Sequence, residues 1–305
     1  MSSANKKPKR KVDVVVISDV HLGTYGSRAK ELLNYLKTIE PKKLILNGDI
    51  IDIWQFKKRY FPKPHMKVIK YITSLVTKGV DVYYITGNHD EMLRKFVGFE
   101  IGNFQLVNKL VLELDGKKAW FFHGDVFDVT MQHSKWLAKL GGVGYDLLIM
   151  INTFVNWFSE KILGRGRISF SKKIKNSVKS AVKHINSFED TAAEIAFQNE
   201  YDYVICGHIH QPQQRNILNT NNPEQSVEYL NSGDWIENLT ALEYHQKKWK
   251  IYSYQNDAIA QKLGPTDHDT DNDLGKADLK NKDLFNELIK EINVIGEKSI
   301  QNKSV

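Results

Sequence analysis

Apolar runs alternate with amphipathic stretches in the first part of the chain, and the period of the pattern changes between them. Continuous β-branched runs are typical of buried strands, whereas apolar positions three and four residues apart are typical of helices. Ser27 and Gly79 stand where a helix N-cap and a C-terminal helix glycine are expected. Strands that alternate with helices predict parallel pairing, with helices on both faces of the sheet. The predicted elements are strand Val12–Ser18, helix about Ser27–Ile39, strand Lys43–Asn47, helix about Pro64–Thr77 and strand Asp81–Thr86.

Strands give way to a helical pattern in the middle of the chain and return after it. Asp115-Gly116 separates two strand-like runs and predicts a β-hairpin. Residues 128 to about 199 have helical spacing, and strands resume at Tyr203–Gly207. We therefore expect one α/β domain over residues 12–256, with a helical cap inserted at about 128–199.

Both ends of the chain are polar. Residues 1–11 are basic and predict a flexible arm, and residues 257–305 predict a disordered tail whose last part has helical spacing. No secretory signal is visible at the start, and no apolar run approaches the roughly 20 residues that span a bilayer. We therefore expect a cytoplasmic protein.

Net charge indicates the kind of partner, and cysteine content indicates the redox compartment. The 305 residues carry a net charge of +7, which favours anionic partners such as phosphates or an acidic membrane surface. Cys206 is the single cysteine, so a disulfide framework is excluded and a reducing compartment is expected. No nucleic-acid-binding module accompanies the charge, so nucleic acid is not expected as a partner, and no motif identifies a protein partner.

Metal-capable side chains follow the ends of the strand-like runs. Glycine precedes three of them, in Gly48-Asp49, Gly87-Asn88 and Gly207-His208, and permits close backbone approach in a crowded site. Because open α/β sheets bind ligands at the carboxyl ends of their strands, we expect these side chains to converge. The candidate metal ligands are Asp19, His21, Asp49, Asn88, His123, His208 and His210.

This set combines carboxylate and amide oxygens with imidazole nitrogens. Such mixed ligation suits Mn²⁺, Fe²⁺ or Zn²⁺ better than Mg²⁺ or Ca²⁺, and we expect Mn²⁺ first. If one carboxylate bridges, the set completes two coordination spheres, and two ions about 3.5–4 Å apart would activate water and clamp a phosphoryl oxygen. A single histidine or aspartate at a strand end is usually a turn or capping residue, but five such motifs together favour a metal site.

Five motifs, in the order DVHLG, GDIID, GNHDE, HGD and GHIH, resemble those of the calcineurin-like metallophosphoesterase superfamily. The resemblance covers about Val12–Tyr254 and implies a four-layer αββα sandwich with a two-metal site. His89 matches the family's histidine that is not a ligand and that contacts phosphate or protonates the leaving oxygen, and Asp90 would orient it. The resemblance implies that one ion takes Asp19, His21, Asp49 and His210, and that the other takes Asp49, Asn88, His123 and His208.

Within that superfamily the chain most resembles the UDP-2,3-diacylglucosamine diphosphatase branch. This resemblance implies hydrolysis of the pyrophosphate of UDP-2,3-diacylglucosamine to UMP and lipid X, a step of lipid A biosynthesis, at the cytoplasmic face of the inner membrane. The well-defined members of the branch carry arginine where this chain has His89. A paralogue that acts on another phosphodiester, nucleotide or phosphomonoester therefore stays open as an alternative.

The predicted cap joins an apolar, aromatic stripe to a run of basic residues. Such a combination suits acyl chains next to a phosphate, or peripheral contact with an anionic membrane. The alternative is a cap packed on its own apolar stripe, with its lysines solvated. A non-enzymatic scaffold is disfavoured, because every ligand position is filled. The candidate substrate contacts are Asn88, which is also a candidate metal ligand, and Arg94, Lys172, Lys173 and Lys175, which would contact phosphate or glucosamine.

Overall fold

The structure, a computed structural model, describes residues 9–53, 61–127 and 188–263. These residues divide into two compact units. The first unit comprises residues 9–53, 61–123 and 196–263 and carries two β-sheets. The second contains residues 124–127 and 188–195, in which the rings of Phe127 and Phe188 meet edge to face.

Strands and helices are numbered here in chain order. The strands are β1 Arg10–Ile17, β2 Ile39–Asn47, β3 Asp81–Ile85, β4 Glu100–Ile101, β5 Phe104–Val107, β6 Lys109–Leu114, β7 Lys117–Phe122, β8 Tyr203–Cys206, β9 Gln213–Leu218, β10 Ser226–Asn231, β11 Thr240–His245 and β12 Lys248–Ser253. The helices are α1 Ala29–Thr38, α2 Lys63–Thr77, α3 over 188–198 and α4 Ala258–Lys262. Short 3₁₀ helices cover Glu91–Phe96 and Tyr254–Asn256. None of the described helices combines the length and the apolar character that crossing a membrane requires.

The first sheet has seven strands in the order β12-β11-β1-β2-β3-β5-β4. β1, β2, β3 and β5 are parallel, and α1 and α2 form the crossovers from β1 to β2 and from β2 to β3. β11 and β12 extend the sheet on one side with antiparallel pairs, and β4 closes the other edge. The continuous apolar run in β1 is buried on both faces, as a central parallel strand requires.

The second sheet has five strands in the order β6-β7-β8-β10-β9. β7, β8 and β10 are parallel, and β6 and β9 are antiparallel at the two edges. The β6–β7 hairpin turns at Asp115 and Gly116, which have φ of 52° and 82°. These positive values are the backbone that a tight two-residue hairpin turn requires, so the hairpin prediction is confirmed.

Two apolar clusters hold the first unit together. One cluster joins the inner faces of the two sheets and includes Val14, Ile45 and Phe121. The other joins the opposite face of the seven-stranded sheet to α1 and α2 and includes Val15, Leu36 and Val68. Two packed sheets with helices confirm the predicted mixed α/β architecture, and both sheets present the carboxyl ends of parallel strands.

The predicted strands and helices of the first hundred residues are confirmed, with shifted ends. Gly79 ends α2 with φ of 84°, as expected. Ser27 does not cap α1, because Arg28 occupies the N-cap position and makes no side-chain capping bond. The strands β4, β5 and β9 were not predicted, because they are short or largely polar.

Both predicted polar ends are corrected where the structure describes them. Arg10 and Lys11, assigned to the arm, belong to β1, and Arg10 makes a bidentate ion pair with Glu243 at 2.8 and 2.9 Å. Asp257, assigned to the tail, caps α4 by accepting from the N–H groups of Ile259 and Ala260. The rest of the arm, the remainder of the tail and residues 128–187 of the predicted cap lie outside the described residues, whereas 188–198 are helical.

Candidate metal centre

Strand polarity brings the predicted ligands together. Asp19 and His21 follow β1, Asp49 follows β2, and Asn88 follows β3 in the first sheet. His123, His208 and His210 follow β7 and β8 in the second sheet. Six of these side chains, all but Asn88, form three overlapping groups together with His89, and the potential ligand atoms of each group lie within 4.8 Å of one another. The groups are Asp19, His21 and His210; His21, Asp49 and His89; and Asp49, His123 and His208.

Asp49 lies at the middle of this arrangement. Its Oδ2 is 3.3 Å from His123 Nε2 and 3.9 Å from His21 Nε2. Its Oδ1 accepts a hydrogen bond of 2.8 Å from the backbone N–H of His89. A carboxylate with histidines of both predicted sets on one oxygen is suited to bridge two cations.

Five of the predicted ligands have a backbone conformation that non-glycine residues rarely adopt. Half of the ten described non-glycine residues with positive φ are predicted ligands, with φ between 50° and 68°. Each such residue costs of order 1–3 kcal/mol and persists only where its surroundings fix it, and such strain clusters at functional sites. The five residues are Asp19, His21, Asp49, His208 and His210.

Hydrogen bonds between the loops fix this backbone. The N–H of Asp19 donates to Gly48 O at 3.1 Å, and the N–H groups of Val20 and His21 both donate to Asp49 O, at 3.0 and 2.9 Å. The loop after β8 joins the set through the N–H of His208, which donates to Asp19 Oδ2 at 3.0 Å. The ligand loops are therefore ordered by the protein itself.

The glycines that precede the ligands each leave room for a ligand from a different motif. A Cβ atom on Gly87 would overlap the carboxylate of Asp49, and one on Gly207 would lie 2.6 Å from Asp19 Oδ2. A Cβ atom on Gly48 would overlap the ring of His123. Close approach of neighbouring loops therefore explains the Gly-ligand pattern of the sequence.

Two histidines show that the residues fit a cation. His123 Nδ1 lies 2.9 Å from the backbone carbonyl of Asn47, which can only accept, so Nδ1 carries the proton. Nε2 then faces Asp49 Oδ2, 3.3 Å away, and a shared proton or a shared cation makes this contact favourable. His21 Nε2 is buried and has no hydrogen-bond partner among the described residues. A shared cation would satisfy both nitrogens and the carboxylate.

Facing charges keep the buried carboxyls ionised, as cation binding requires, but they also hold a proton on His210. Burial opposes ionisation of the carboxyls, yet the neighbouring histidines lower the pKa of Asp19, through His210, and of Asp49, through His123. Burial also opposes protonation of His210, but Asp19, whose Oδ1 lies 3.1 Å from His210 Nε2, raises the pKa of His210 to about 9. The carboxylates therefore stay ionised at neutral pH, and a cation would displace the proton of His210.

His89 borders the predicted ligands and is paired with a carboxylate. Its Nδ1 lies 2.9 Å from Oδ2 of Asp52, and its ring meets that of His21 at 4.6 Å between centroids. Burial lowers the pKa of His89, but the contact with Asp52 and the charge of Asp49 outweigh it, so the pKa is raised overall.

The predicted role of Asp90 as the residue that orients His89 is wrong. The Asp90 carboxylate is fully buried and accepts from the N–H groups of Gly87 and Ile50, at 2.6 and 3.0 Å, and from Tyr84 Oη, at 2.6 Å. It therefore ties the loops after β2 and β3 together. Asp52 is the residue that orients His89. It is the second aspartate of the GDIID motif, which is the sequence feature that could have indicated this role.

The remaining predicted contacts are an exposed arginine and three lysines outside the described residues. Arg94 is exposed on the 3₁₀ helix Glu91–Phe96, and nothing described places it among the metal-ligand candidates. Lys172, Lys173 and Lys175 lie outside the described residues.

Comparisons with known proteins agree with the geometry. The family model for Calcineurin-like phosphoesterase matches residues 12–212, which is more than half of the chain. A UDP-2,3-diacylglucosamine hydrolase from Aliivibrio fischeri is 26% identical over 248 residues, which cover 78% of this chain and 97% of that protein. The protein of the same name from Escherichia coli K12 is 27% identical over 190 residues, 59% of this chain and 73% of its own length. The solved structure of a novel archaeal phosphodiesterase aligns over 79% of this chain and 98% of its own, with 15% identity and a TM-score of 0.38. The chain belongs to the calcineurin-like phosphoesterase family, whose members use divalent metal ions.

Proposed function

We propose that this chain hydrolyses the pyrophosphate of UDP-2,3-diacylglucosamine to UMP and lipid X, with two divalent cations, Mn²⁺ first among them. The observation that supports metal-dependent hydrolysis is the convergence of two predicted ligand sets on the Asp49 carboxylate. The names of the relatives, which the chain resembles over most of its length, support the substrate.

Each cation would have its own ligands and share one. The first would be held by Asp19, His21, Asp49 and His210, and the second by Asp49, Asn88, His123 and His208. Two of the groups support this division, since Asp19, His21 and His210 fall in one and Asp49, His123 and His208 in the other. The cations would polarise the phosphoryl group and lower the pKa of water.

The chain's own residues then do two things. The backbone N–H groups of His89 and His208 hold the carboxylates of Asp49 and Asp19, at 2.8 and 3.0 Å, so the ligand geometry is set before substrate arrives. His89 stands beside the predicted ligands with Nδ1 held by Asp52, so its Nε2 is the nitrogen left to serve the substrate. A protonated His89 would hydrogen-bond a phosphoryl oxygen or donate its proton to the leaving oxygen.

A second candidate function rests on this His89–Asp52 pair. An acid that protonates the leaving oxygen helps most when that oxygen belongs to an alcohol, because an alkoxide is a poor leaving group. The leaving phosphate of a pyrophosphate needs this help less. The pair therefore favours the alternative that the chain cleaves a phosphomonoester or another phosphodiester.

The lipid part of the proposal rests on the sequence. The apolar, aromatic stripe and basic run between residues 147 and 183 would contact the acyl chains and phosphate of the substrate, with Lys172, Lys173 and Lys175 as contacts. The same segment would place the chain peripherally on the cytoplasmic face of an anionic membrane.

A substrate panel tests the proposal. The Mn²⁺-loaded chain would be offered UDP-2,3-diacylglucosamine, a UDP-sugar without acyl chains, p-nitrophenyl phosphate and bis-p-nitrophenyl phosphate. Release of UMP from the diacylated substrate, with a kcat/KM well above those of the other three, is the expected result. A higher kcat/KM for either nitrophenyl ester would contradict the lipid substrate and support the alternative, whereas no hydrolysis of any member would contradict both.

A further inference from the structure

His65 in the first turn of α2 accepts a hydrogen bond from a ligand loop. The backbone N–H of Gly23 donates to His65 Nδ1 at 2.9 Å, in a buried position. Gly23 lies two residues after the predicted ligand His21. His65 itself is only 4% exposed, and its ring meets that of Phe61 edge to face at 5.6 Å between centroids.

This contact completes the hydrogen bonding of the loop after β1. The N–H groups from Asp19 to Leu22 all donate to carbonyls of residues 48–50, and Leu22 O accepts in return from Asp52 N–H. Gly23 N–H is the next donor along the chain, and the His65 ring is its acceptor. After it the chain turns away, with φ of 108° at Gly23 and a Thr24 N–H that donates back to His21 O at 3.1 Å.

The chemistry of His65 suits the role of a fixed acceptor. An imidazole nitrogen accepts only when it carries no proton, so Nδ1 must be the unprotonated nitrogen. Burial lowers the pKa of His65 and keeps the ring neutral. The N-terminus of α2 also disfavours a positive charge at this place.

We propose that His65 is a positioning residue of the metal centre, which holds the His21 loop in the conformation that binds cations through its bond to Gly23. This inference rests on the proposed metal site, but it needs no particular substrate. Loss of the acceptor would leave the Gly23 N–H buried without a partner, and the turn that holds His21 in the left-handed region would relax.

The test compares three variants with wild type by calorimetric Mn²⁺ titration. His65→Leu keeps an apolar side chain of similar reach but removes the acceptor, and we expect at least one of two Mn²⁺ affinities to fall by about 10–100-fold. His65→Asn places a carbonyl oxygen near the position of Nδ1 and should bring the affinity back to within about threefold of wild type. Val68→Ala removes apolar packing from the same helix without touching the ligand loop, so it should lower thermal stability and leave Mn²⁺ affinity unchanged.

Several outcomes would overturn the inference. Wild-type Mn²⁺ affinity in His65→Leu would show that the bond does not position the ligand. An equal loss in Val68→Ala would show that any destabilisation of α2 has the same effect. If His65→Leu does not fold, His65→Asn provides the test. Weakened Mn²⁺ binding by His65→Asn would refute the inference, because this variant keeps a hydrogen-bond acceptor for the Gly23 N–H. Absence of Mn²⁺ binding by wild type would overturn the metal site as well, whereas absence of UDP-2,3-diacylglucosamine hydrolysis would leave the inference standing.

Discussion

Replacement of Gly87 by alanine tests whether the ligand loops must approach as closely as they do. A methyl group at this position would overlap the Asp49 carboxylate and lie 2.6 Å from the Asp49 backbone nitrogen and 2.9 Å from Cδ2 of His123. Favourable contacts between non-bonded heavy atoms lie at about 3.5–4.0 Å. The side chain of Asp49 could rotate away, but its backbone nitrogen can move only with the whole loop after β2.

The expected cost has two parts. Overpacking of this kind costs about 1–3 kcal/mol of folding free energy. For a domain of this size, each kcal/mol lowers the melting temperature by about 2–4 °C. The second part concerns Mn²⁺, because the displaced carboxylate is the one that both predicted coordination spheres share. Loss of a residue that supports a metal ligand typically lowers metal affinity by about 10–100-fold, and we expect Gly87→Ala to lower Mn²⁺ affinity by at least this factor.

Gly79→Ala is the matched control. Unlike Gly87, Gly79 has a φ that alanine disfavours, at 84°, but a Cβ atom there would meet nothing within 4 Å. It should cost about 1–2 kcal/mol through backbone strain alone. Melting in EDTA and calorimetric Mn²⁺ titration of both variants separate the two parts of the cost. If Gly87→Ala melts and binds Mn²⁺ like wild type, or if Gly79→Ala loses Mn²⁺ affinity equally, the close approach of the loops is not what positions Asp49.

Four further substitutions test the roles assigned at the site. Asp49→Ala should abolish hydrolysis of every substrate and the binding of both Mn²⁺ ions, and wild-type turnover would contradict the bridging role. His89→Ala should lower kcat by about 10²–10⁴-fold with Mn²⁺ content unchanged, because the backbone N–H that holds Asp49 remains, and a parallel loss of metal would make His89 a ligand. Asp52→Asn removes the contact that raises the pKa of His89, so the alkaline limb of the kcat/KM profile should move to lower pH, and an unmoved limb would contradict the pairing. Replacing Phe154 and Phe158 together by alanine should raise KM for the diacylated substrate and not for bis-p-nitrophenyl phosphate, and equal effects would make the stripe structural.

The seven metal-ligand candidates could be predicted from sequence because strand polarity alone decides where they go. A buried apolar run followed by glycine and a metal-capable side chain fixes that side chain at the carboxyl end of a strand, whichever sheet the strand joins. His208 follows a strand of the second sheet and Asp49 a strand of the first, and the two lie in one group of potential ligand atoms, whereas their role as metal ligands stays a prediction.

The partner of His89 could not be predicted in this way. Asp90 is adjacent in sequence, but its side chain turns into the protein, where Tyr84 and two backbone N–H groups bind it. Asp52 reaches His89 only because β2 and β3 are neighbours in the sheet, and sheet order is not visible in the local pattern.

The chain ends were mispredicted for a related reason. Composition marks Arg10 and Asp257 as polar, and polar residues near a terminus usually indicate disorder. Each instead has polar partners. Arg10 pairs with Glu243, which is far away in sequence and also accepts from Tyr35 Oη at 3.0 Å, and Asp257 accepts from Tyr252 Oη at 3.0 Å. Tertiary contacts between polar groups therefore extend the domain beyond its apolar pattern.

Hydrogen bonds between the ligand loops maintain the strained backbone of the site. Five residues in the left-handed region, at of order 1–3 kcal/mol each, would not persist in a loop free to relax. They persist because the loops after β1, β2 and β8 bind one another, through the N–H groups of Asp19, His21 and His208, and because glycines let these loops touch. The resulting arrangement holds His123 Nε2 3.3 Å from Oδ2 of the Asp49 carboxylate, a contact that needs a positive charge on or between the two groups. The strained backbone therefore holds the ligand candidates where a cation can join them before any cation has bound.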